Sequence, residues 1–213
     1  MTGATVICLG PAGLAAARGI VAALPEARLH GLAGRVDGAD EPFAETADHL
    51  RALFAAGTPI VGVCAAGILI RALAPLLADK RAESPVVAVA ADGSVAVPLL
   101  GGHHGANELA RAVAGALGGA AAITTAGDVS LGLALDDPPP GWRLANPEAA
   151  KPVMAALLAG DPVALAVEAG DPGWLTGSRA AFTDDAPLGI RLTAQSLPGS
   201  NGELVIHPAV LTL

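Results

Sequence analysis

The chain is poor in aromatic residues, with no tyrosine, two tryptophans and three phenylalanines among its 213 residues. Proteins that bind single-stranded nucleic acid stack bases on aromatic rings, and this chain has few rings to offer. A formal net charge of −8 also disfavours contact with a phosphate backbone. We therefore expect no nucleic-acid partner, although a local group of arginines could still bind a small anion.

Long apolar runs and cysteine pairs are missing as well. No apolar stretch long enough to cross a bilayer is free of glycine, proline and charge, so we expect no membrane contact. The opening MTGATVICLG lacks the basic and apolar segments of a signal peptide, which favours a cytoplasmic location. Cys8 and Cys64 each end an apolar run and are expected to be buried free thiols.

Apolar residues make up 53% of the chain, and in its first two-thirds they recur in short strand-like runs between helical patterns. An Asp92-Gly93 turn between two apolar runs marks a hairpin. Such alternation predicts an α/β fold with a doubly wound, mostly parallel sheet and one antiparallel hairpin. The predicted strands are 5–9, 28–32, 59–64, 86–90, 95–100 and 122–125, and the predicted helices are 11–24, 41–56, one from Ile68, and 106–117.

A proline-rich segment, residues 136–141, marks a linker by composition. It divides the chain into an α/β domain of the flavodoxin or Rossmann type, residues 1–137, and a small α+β middle subdomain, residues 138–213. We predict a helix at 146–158 and strands at 163–167, 189–193 and 204–207 in this second part. It is expected to be too small for a large core of its own.

The richest candidate for chemistry is the loop Gly101-Gly102-His103-His104-Gly105, which leads directly into a helix beginning Ala106-Asn107. Glycines let a backbone approach a ligand, and free N–H groups at a helix start favour anions. Each histidine could be an acid or base, a substrate contact or a structural residue, and Asn107 could cap the helix or bind a ligand. Adjacent histidines rarely bind one ion, so we expect no metal site.

Other candidates follow predicted strands. Ligands of open α/β sheets bind at the carboxyl ends of the strands, so we expect the turns 10–13, 65–67 and 124–128 to join the histidine loop at one edge. Thr124, Thr125 and Asp128 place polar groups at the mouth of a strand, or simply complete a turn.

Isolated polar residues outside those turns have open assignments. Arg71 and Lys80 form either a solvated face or a clamp for anions. His30, His49 and His207 stand alone in the sequence, and we expect surface or packing roles for them.

Three motifs together resemble the cobalt-precorrin-5A hydrolases of cobalamin biosynthesis. They are AAGILIRALAPLLADK from Ala65, LLGGHHGANELA from Leu99 and ITTAGD from Ile123, and NPEAAK from Asn146 is similar to the start of that family's middle region. A serine commonly stands in that family where this chain has Gly101, and threonine is common where it has Ala66. The chain stops where that family's C-terminal domain would begin, which is consistent with part of a fusion to a precorrin-3B C(17)-methyltransferase.

The resemblance implies a tetrapyrrole substrate, opening of its ring-A lactone and release of acetaldehyde. It implies catalytic roles for His103 and Asp128, and substrate binding by Gly67, Arg71, Lys80, Gly102, His104, Gly105, Ala106, Asn107, Thr124 and Thr125. Cobalt would arrive in the substrate, so no cofactor bound by the protein is expected. Partners would be other enzymes or domains of corrin synthesis, and the chain could also pair with a second copy of itself as a homodimer.

Two alternatives remain open from the sequence. The chain could be a non-catalytic corrinoid-binding module fused to a precorrin-3B C(17)-methyltransferase. By fold analogy alone it could also be a nucleotide-binding or flavin-binding α/β domain.

Overall fold

A computed structural model describes residues 3–79, 82–196 and 202–209. Contacts divide the chain into two compact units, one ending at Ile123 and the other beginning at Thr124. The sequence had placed the division at 137 and 138, at the proline-rich segment. None of the described helices combines the length and the apolar character that crossing a bilayer demands.

The first unit is built on a seven-stranded sheet in the order β3-β2-β1-β4-β5-β6-β7. The strands β1 to β5 are mutually parallel, β6 is antiparallel to β5, and β7 is parallel to β6. This confirms the mostly parallel sheet with one antiparallel hairpin. The strands are β1 Thr5–Cys8, β2 Arg28–Leu32, β3 Glu41–Phe43, β4 Ile60–Val63, β5 Val86–Val89, β6 Val95–Leu100 and β7 Ala120–Ala121.

Helices cover both faces of this sheet, because the central strands alternate buried apolar residues between two cores. Val61 lies in the core that holds residues of α1 (Leu14–Ala23) and α4 (Ala106–Leu117). Its neighbour Ile60 lies in the other core, which holds residues of α2 (Thr46–Ala55) and α3 (Ala66–Leu73). The predicted doubly wound architecture is confirmed.

Two predicted elements have different bounds in the structure. The helix expected over 41–56 begins only at Thr46, because Glu41–Phe43 pairs with β2 as an edge strand, with His30 opposite Glu41. The apolar spacing in this segment was misleading because Phe43, which seemed to belong to the apolar face of a helix, is instead buried as part of the edge strand. The strand expected over 122–125 is instead Ala120–Ala121, because pairing with β6 begins immediately after the Gly118-Gly119 turn.

The strand order reverses between β1 and β4, which is where open α/β sheets form a crevice. Gly13 follows β1 there, and a Cβ on it would lie 2.7 Å from Cγ1 of Val63. Glycine is therefore needed at this turn for close packing of the chain against β4.

The second unit has a five-stranded sheet in the order β10-β9-β11-β12-β8, parallel except for the antiparallel pair of β12 and β8. This unit, which was expected to be too small for a large core, has a core of its own that contains Val153, Leu192 and Ile206. Its elements are β8 Trp142–Leu144, α5 Ala150–Ala159, β9 Val163–Val167, α6 Gly173–Thr176, β10 Phe182–Thr183, β11 Leu188–Leu192 and β12 Glu203–Pro208.

Candidate functional site

The glycine–histidine loop lies at the amino ends of the parallel strands, which corrects the predicted single edge. Because β6 runs antiparallel to β5, its last residue Leu100 pairs with Val86, the first residue of β5. Gly67 follows the carboxyl end of β4, where Val63 pairs with Val89. The length of β5, roughly 10 Å, separates these two edges of the sheet. The loop and the Gly67 turn therefore do not share a pocket in the first unit.

Gly101 anchors the loop against the segment that enters β5. Its φ of +71° lies in the left-handed region, and a Cβ on it would lie 2.6 Å from the carbonyl oxygen of Ser84 and 2.7 Å from the nitrogen of Pro85. Both the torsion and the backbone contacts require glycine here. The close approach gives a physical reason for glycine at a position where the resembling family commonly has serine.

In the turn that carries the two histidines, two backbone N–H groups share one carbonyl acceptor. The backbone N–H groups of His104 and Ala106 both donate to the oxygen of Gly101, at 2.9 and 3.1 Å. The N–H of Ala106 is therefore engaged within the loop, which counts against its predicted use in anion binding. A Cβ on Gly102 would meet no atom within 4 Å, so open space adjoins the loop at that residue.

Helix α4 begins immediately after this turn. Gly105, with a φ of +90°, precedes its first residue, and the side chain of Asn107 in its first turn is buried. Glu108 pairs with Arg111 at 2.7 Å on the exposed side. The imidazole of His104 is on the exposed surface of the loop. The side chain of His103 and the whole of Lys80 lie outside the described part of the chain.

Arg71 lies at the carboxyl edge of the sheet together with Gly67. A Cβ on Gly67 would lie 3.0 Å from Nη1 of Arg71, so the guanidinium folds back along α3 toward the start of the helix. The side chain is exposed. The arrangement places a cation beside a helix N-terminus, at the end of β4 next to the point where the strand order reverses.

Thr125 and Asp128 meet in one turn of the second unit, which is one of the two alternatives that the sequence left open. The Thr125 hydroxyl donates to Oδ2 of Asp128 at 2.5 Å, in the spacing of a capping pair at a helix start. Thr124 precedes them and is exposed. Asp128 belongs to a π-helical turn, Gly127–Leu131, a conformation that is rare and frequent at functional sites.

Arg179 holds this π-helical turn, a role that sequence reasoning missed. Its Nε donates to the carbonyl of Ser130 at 2.8 Å, its Nη2 donates to the carbonyl of Val129 at 2.5 Å, and its backbone N–H donates to Leu131 at 2.8 Å. Arg179 lies about fifty positions away from these partners in the chain, so no local pattern could reveal the contacts. The contacts fix the turn that presents Asp128.

Two histidines that seemed isolated in the sequence form a cluster with a glutamate in the first unit. Nδ1 of His30 lies 2.9 Å from Nε2 of His49, and Nε2 of His30 lies 3.6 Å from Oε2 of Glu41. Phe43 stacks on His49 with ring centroids 4.5 Å apart. Burial lowers the pKa of both His30 and His49, while Glu41 acts in the opposite direction. In the described residues this is the one group of three side chains able to hold a metal ion.

The remaining predicted packing residues have structural partners. His207 is buried, with Nδ1 2.7 Å from the carbonyl oxygen of Thr193. Both cysteines are free thiols, as predicted; Cys8 is buried as expected, whereas Cys64 is only half-buried. Burial raises the pKa of the Cys64 thiol to about 11, which keeps it protonated near neutral pH.

Two family models match the chain. A model described as the cobalamin synthesis G N-terminal region matches residues 48–128, and one described as the cobalamin biosynthesis central region matches residues 139–208. A solved structure of a cobalamin biosynthesis protein G homologue from Sulfolobus solfataricus is also similar, with a TM-score of 0.49 and 18% identity, covering 97% of this chain and 60% of the other.

Curated relatives of the chain are named cobalt-precorrin-5A hydrolases. The relative from Salmonella typhimurium is 40% identical over 135 residues, covering 62% of this chain and 38% of that protein. The relative from Priestia megaterium is 34% identical over 128 residues, covering 59% of this chain and 34% of that protein. The matched part thus spans little more than a third of each relative. Because the two family models match in sequence order from residue 48 to residue 208, the chain belongs to the cobalamin synthesis G family and contains the N-terminal and central regions that the models describe.

Proposed function

We propose that this chain carries the activity named for its relatives, the hydrolysis of cobalt-precorrin-5A. The reaction would open the ring-A lactone of a cobalt-bearing tetrapyrrole and release a two-carbon unit as acetaldehyde. The observation that carries the proposal is the 40% identity to a cobalt-precorrin-5A hydrolase over 135 residues. The cobalt ion would belong to the substrate, so the chemistry proposed here needs no cofactor resident on the protein.

Lactone hydrolysis needs a base that activates water and a group that carries the proton to the departing oxygen. We assign the base to His103, because an imidazole exchanges protons near neutral pH. The closed turn around the Gly101 carbonyl holds the backbone of this residue in a fixed position. Open space beside Gly102 gives the substrate room to approach the loop.

Asp128 is the second group that we assign to the chemistry. Its carboxylate already accepts a hydrogen bond from Thr125, and Arg179 fixes the π-helical turn that carries it. A carboxylate held in this way can accept a proton without first paying the entropy of ordering its side chain. Thr124 and Thr125 would contact the polar groups on the rim of the macrocycle.

Carboxylates on the rim of the substrate would also need cations. Arg71 is suited to such a contact, since a guanidinium binds a carboxylate with two parallel hydrogen bonds. Its position at the carboxyl edge of the sheet separates it from the 101–107 loop, so we assign it to binding at a distance from the reacting lactone. Lys80 keeps the same proposed role on the basis of the family resemblance alone.

The test is a titration of the purified chain with cobalt-precorrin-5A, following the corrin spectrum and the acetaldehyde released. We expect turnover that falls by 100-fold or more in His103→Ala and in Asp128→Asn, in line with the usual contribution of acid–base groups. Asp161→Asn, an exposed carboxylate elsewhere in the second unit, is the matched control and should retain activity. Unchanged turnover in His103→Ala would remove the assignment of the base. A spectral change without acetaldehyde would instead favour a corrinoid-binding module.

A further inference from the structure

The cluster of His30, Glu41 and His49 is independent of the proposed hydrolase site. It lies at the β3 edge of the first sheet, on β2, on β3 and in the first turn of α2 respectively. Two of its three residues precede position 48, where the match to the N-terminal family model begins. Nothing in the proposed lactone chemistry uses these side chains.

We propose that His30, Glu41 and His49 bind a divalent transition-metal ion of the zinc type. Each residue offers one donor atom, and the three donor atoms lie within 4.8 Å of one another. The two facing ring nitrogens, Nδ1 of His30 and Nε2 of His49, are 2.9 Å apart. These two nitrogens share an N–H···N hydrogen bond, and an ion bound between them would replace its proton. The carboxylate of Glu41 lies beside the other nitrogen of His30, Nε2, and would turn toward the ion.

The separation of the two nitrogens is compatible with one ion between them. Histidine nitrogens bind zinc at roughly 2.0–2.1 Å. Two such bonds put the nitrogens about 2.9 Å apart at a right angle and about 3.3 Å apart at the tetrahedral angle, by simple trigonometry on those lengths. Binding at the tetrahedral angle would therefore widen the present contact of 2.9 Å by about 0.4–0.5 Å, a shift that side-chain rotation can supply.

The surroundings hold both imidazoles in place before an ion arrives. His30 is on a buried strand, with only 6% of its surface exposed. His49 stacks on Phe43 with an angle of 5° between the rings. Glu41 reaches the cluster from the edge strand, where it is paired with His30. Arg28 lowers the pKa of His30 and Asp40 raises it, so the cluster has neighbouring charges of both signs.

The set of donors indicates which ions would bind. Two imidazoles and one carboxylate favour Zn²⁺, Co²⁺ or Ni²⁺, whereas Mg²⁺ and Ca²⁺ prefer sites made of oxygen atoms. Three protein ligands leave a coordination position for water, as in zinc sites that are not fully closed. An ion here would join β2, β3 and α2, and would thus stabilise the edge strand β3.

The experiment uses tag-free protein that has been dialysed against a chelator and then titrated with Zn²⁺ by calorimetry. We expect one saturable site, and an intense visible absorption band when Co²⁺ replaces Zn²⁺. His30→Ala and His49→Gln should each weaken binding at least tenfold, and Glu41→Gln should weaken it less. Saturating Zn²⁺ should also raise the unfolding temperature of the unmodified protein, because it binds only the folded state.

Two matched controls distinguish Zn²⁺ binding at this site from non-specific Zn²⁺ binding at the surface. His104→Ala removes an exposed histidine elsewhere, and Glu45→Gln removes an exposed charge four residues from Glu41; neither should change the affinity. Absence of saturable binding to the unmodified protein would overturn the proposal, whatever the variants do. It would also be overturned if His30→Ala and His49→Gln, with unchanged circular dichroism, bound Zn²⁺ as tightly as the unmodified protein.

Discussion

Replacing Gly101 with alanine tests whether the histidine loop is fixed by a close backbone contact. The substitution puts a Cβ on a residue with φ of +71°, where left-handed torsion costs about 1–2 kcal/mol for an ordinary residue. It also brings that Cβ to 2.6 Å from the carbonyl oxygen of Ser84, an overpacking that costs about 1–3 kcal/mol. We expect the free energy of unfolding of the first unit to fall by about 2–5 kcal/mol in total.

Two other glycines supply controls for the separate terms. Gly118 has φ of +67° and nothing within 4 Å of an added Cβ, so Gly118→Ala should lose only the torsional term, about 1–2 kcal/mol. Gly102 has open space and no positive φ, so Gly102→Ala should be neutral or gain up to about 1 kcal/mol through the unfolded chain.

The measurement is urea unfolding followed by far-ultraviolet circular dichroism. Both tryptophans, Trp142 and Trp174, belong to the second unit, so their fluorescence follows that unit and serves as an internal reference. Equal losses in Gly101→Ala and Gly118→Ala would refute the contact with Ser84. A loss confined to the tryptophan signal would show that the substitution acts elsewhere.

Two further outcomes follow from single contacts. The amide of Asn146 donates to the carbonyl of Glu203 at 2.7 Å and accepts from the N–H of Val205 at 2.8 Å, which ties β8 to β12. Asn146→Ala should lower the free energy of unfolding by about 2 kcal/mol, and Asn146→Asp, which keeps the acceptor, by about half of that. The measurement is urea unfolding followed by tryptophan fluorescence, and equal stability of all three proteins would contradict the expectation. Because burial raises the pKa of Cys64 to about 11, alkylation of this thiol in the folded chain should stay slow up to pH 9 and accelerate only toward pH 11. Mass spectrometry of the peptide that contains Cys64 would measure the extent of alkylation. The same raised pKa means that stability falls as pH rises from 9 toward 11, and rapid labelling of folded protein at pH 8 would contradict the burial.

The candidate site was only partly predictable from the sequence. A turn completed by Thr125 and Asp128 was one of two alternatives that the sequence left open, and the local contact between the two side chains is present. Arg179 was missed because it reaches that turn from about fifty residues away. His30 and His49 seemed isolated because a parallel strand and a helix bring them together, and a single sequence contains no record of such pairing.

Local chemistry in the sequence determined most of the elements of the first unit. Apolar runs of strand length, glycine turns and the Asp92-Gly93 hairpin predicted a doubly wound sheet with one antiparallel pair, and the structure confirms it. These features act over a few residues, so they can be identified without knowing the fold. The motifs from residue 65 to residue 128 likewise carried the family resemblance that the comparisons bear out.

Only the tertiary structure decided the order of the strands, and with it which turns adjoin one another. A hairpin reverses the direction of β6, so the loop after it lies at the amino ends of the parallel strands, opposite the turn after β4. The predicted hairpin already implies this reversal, but the placement of β4 between β1 and β5 depends on the assembled sheet. Contacts between distant segments depend on the same assembly, such as the contact of His30 with His49 and the hydrogen bonds from Arg179 to the π-helical turn.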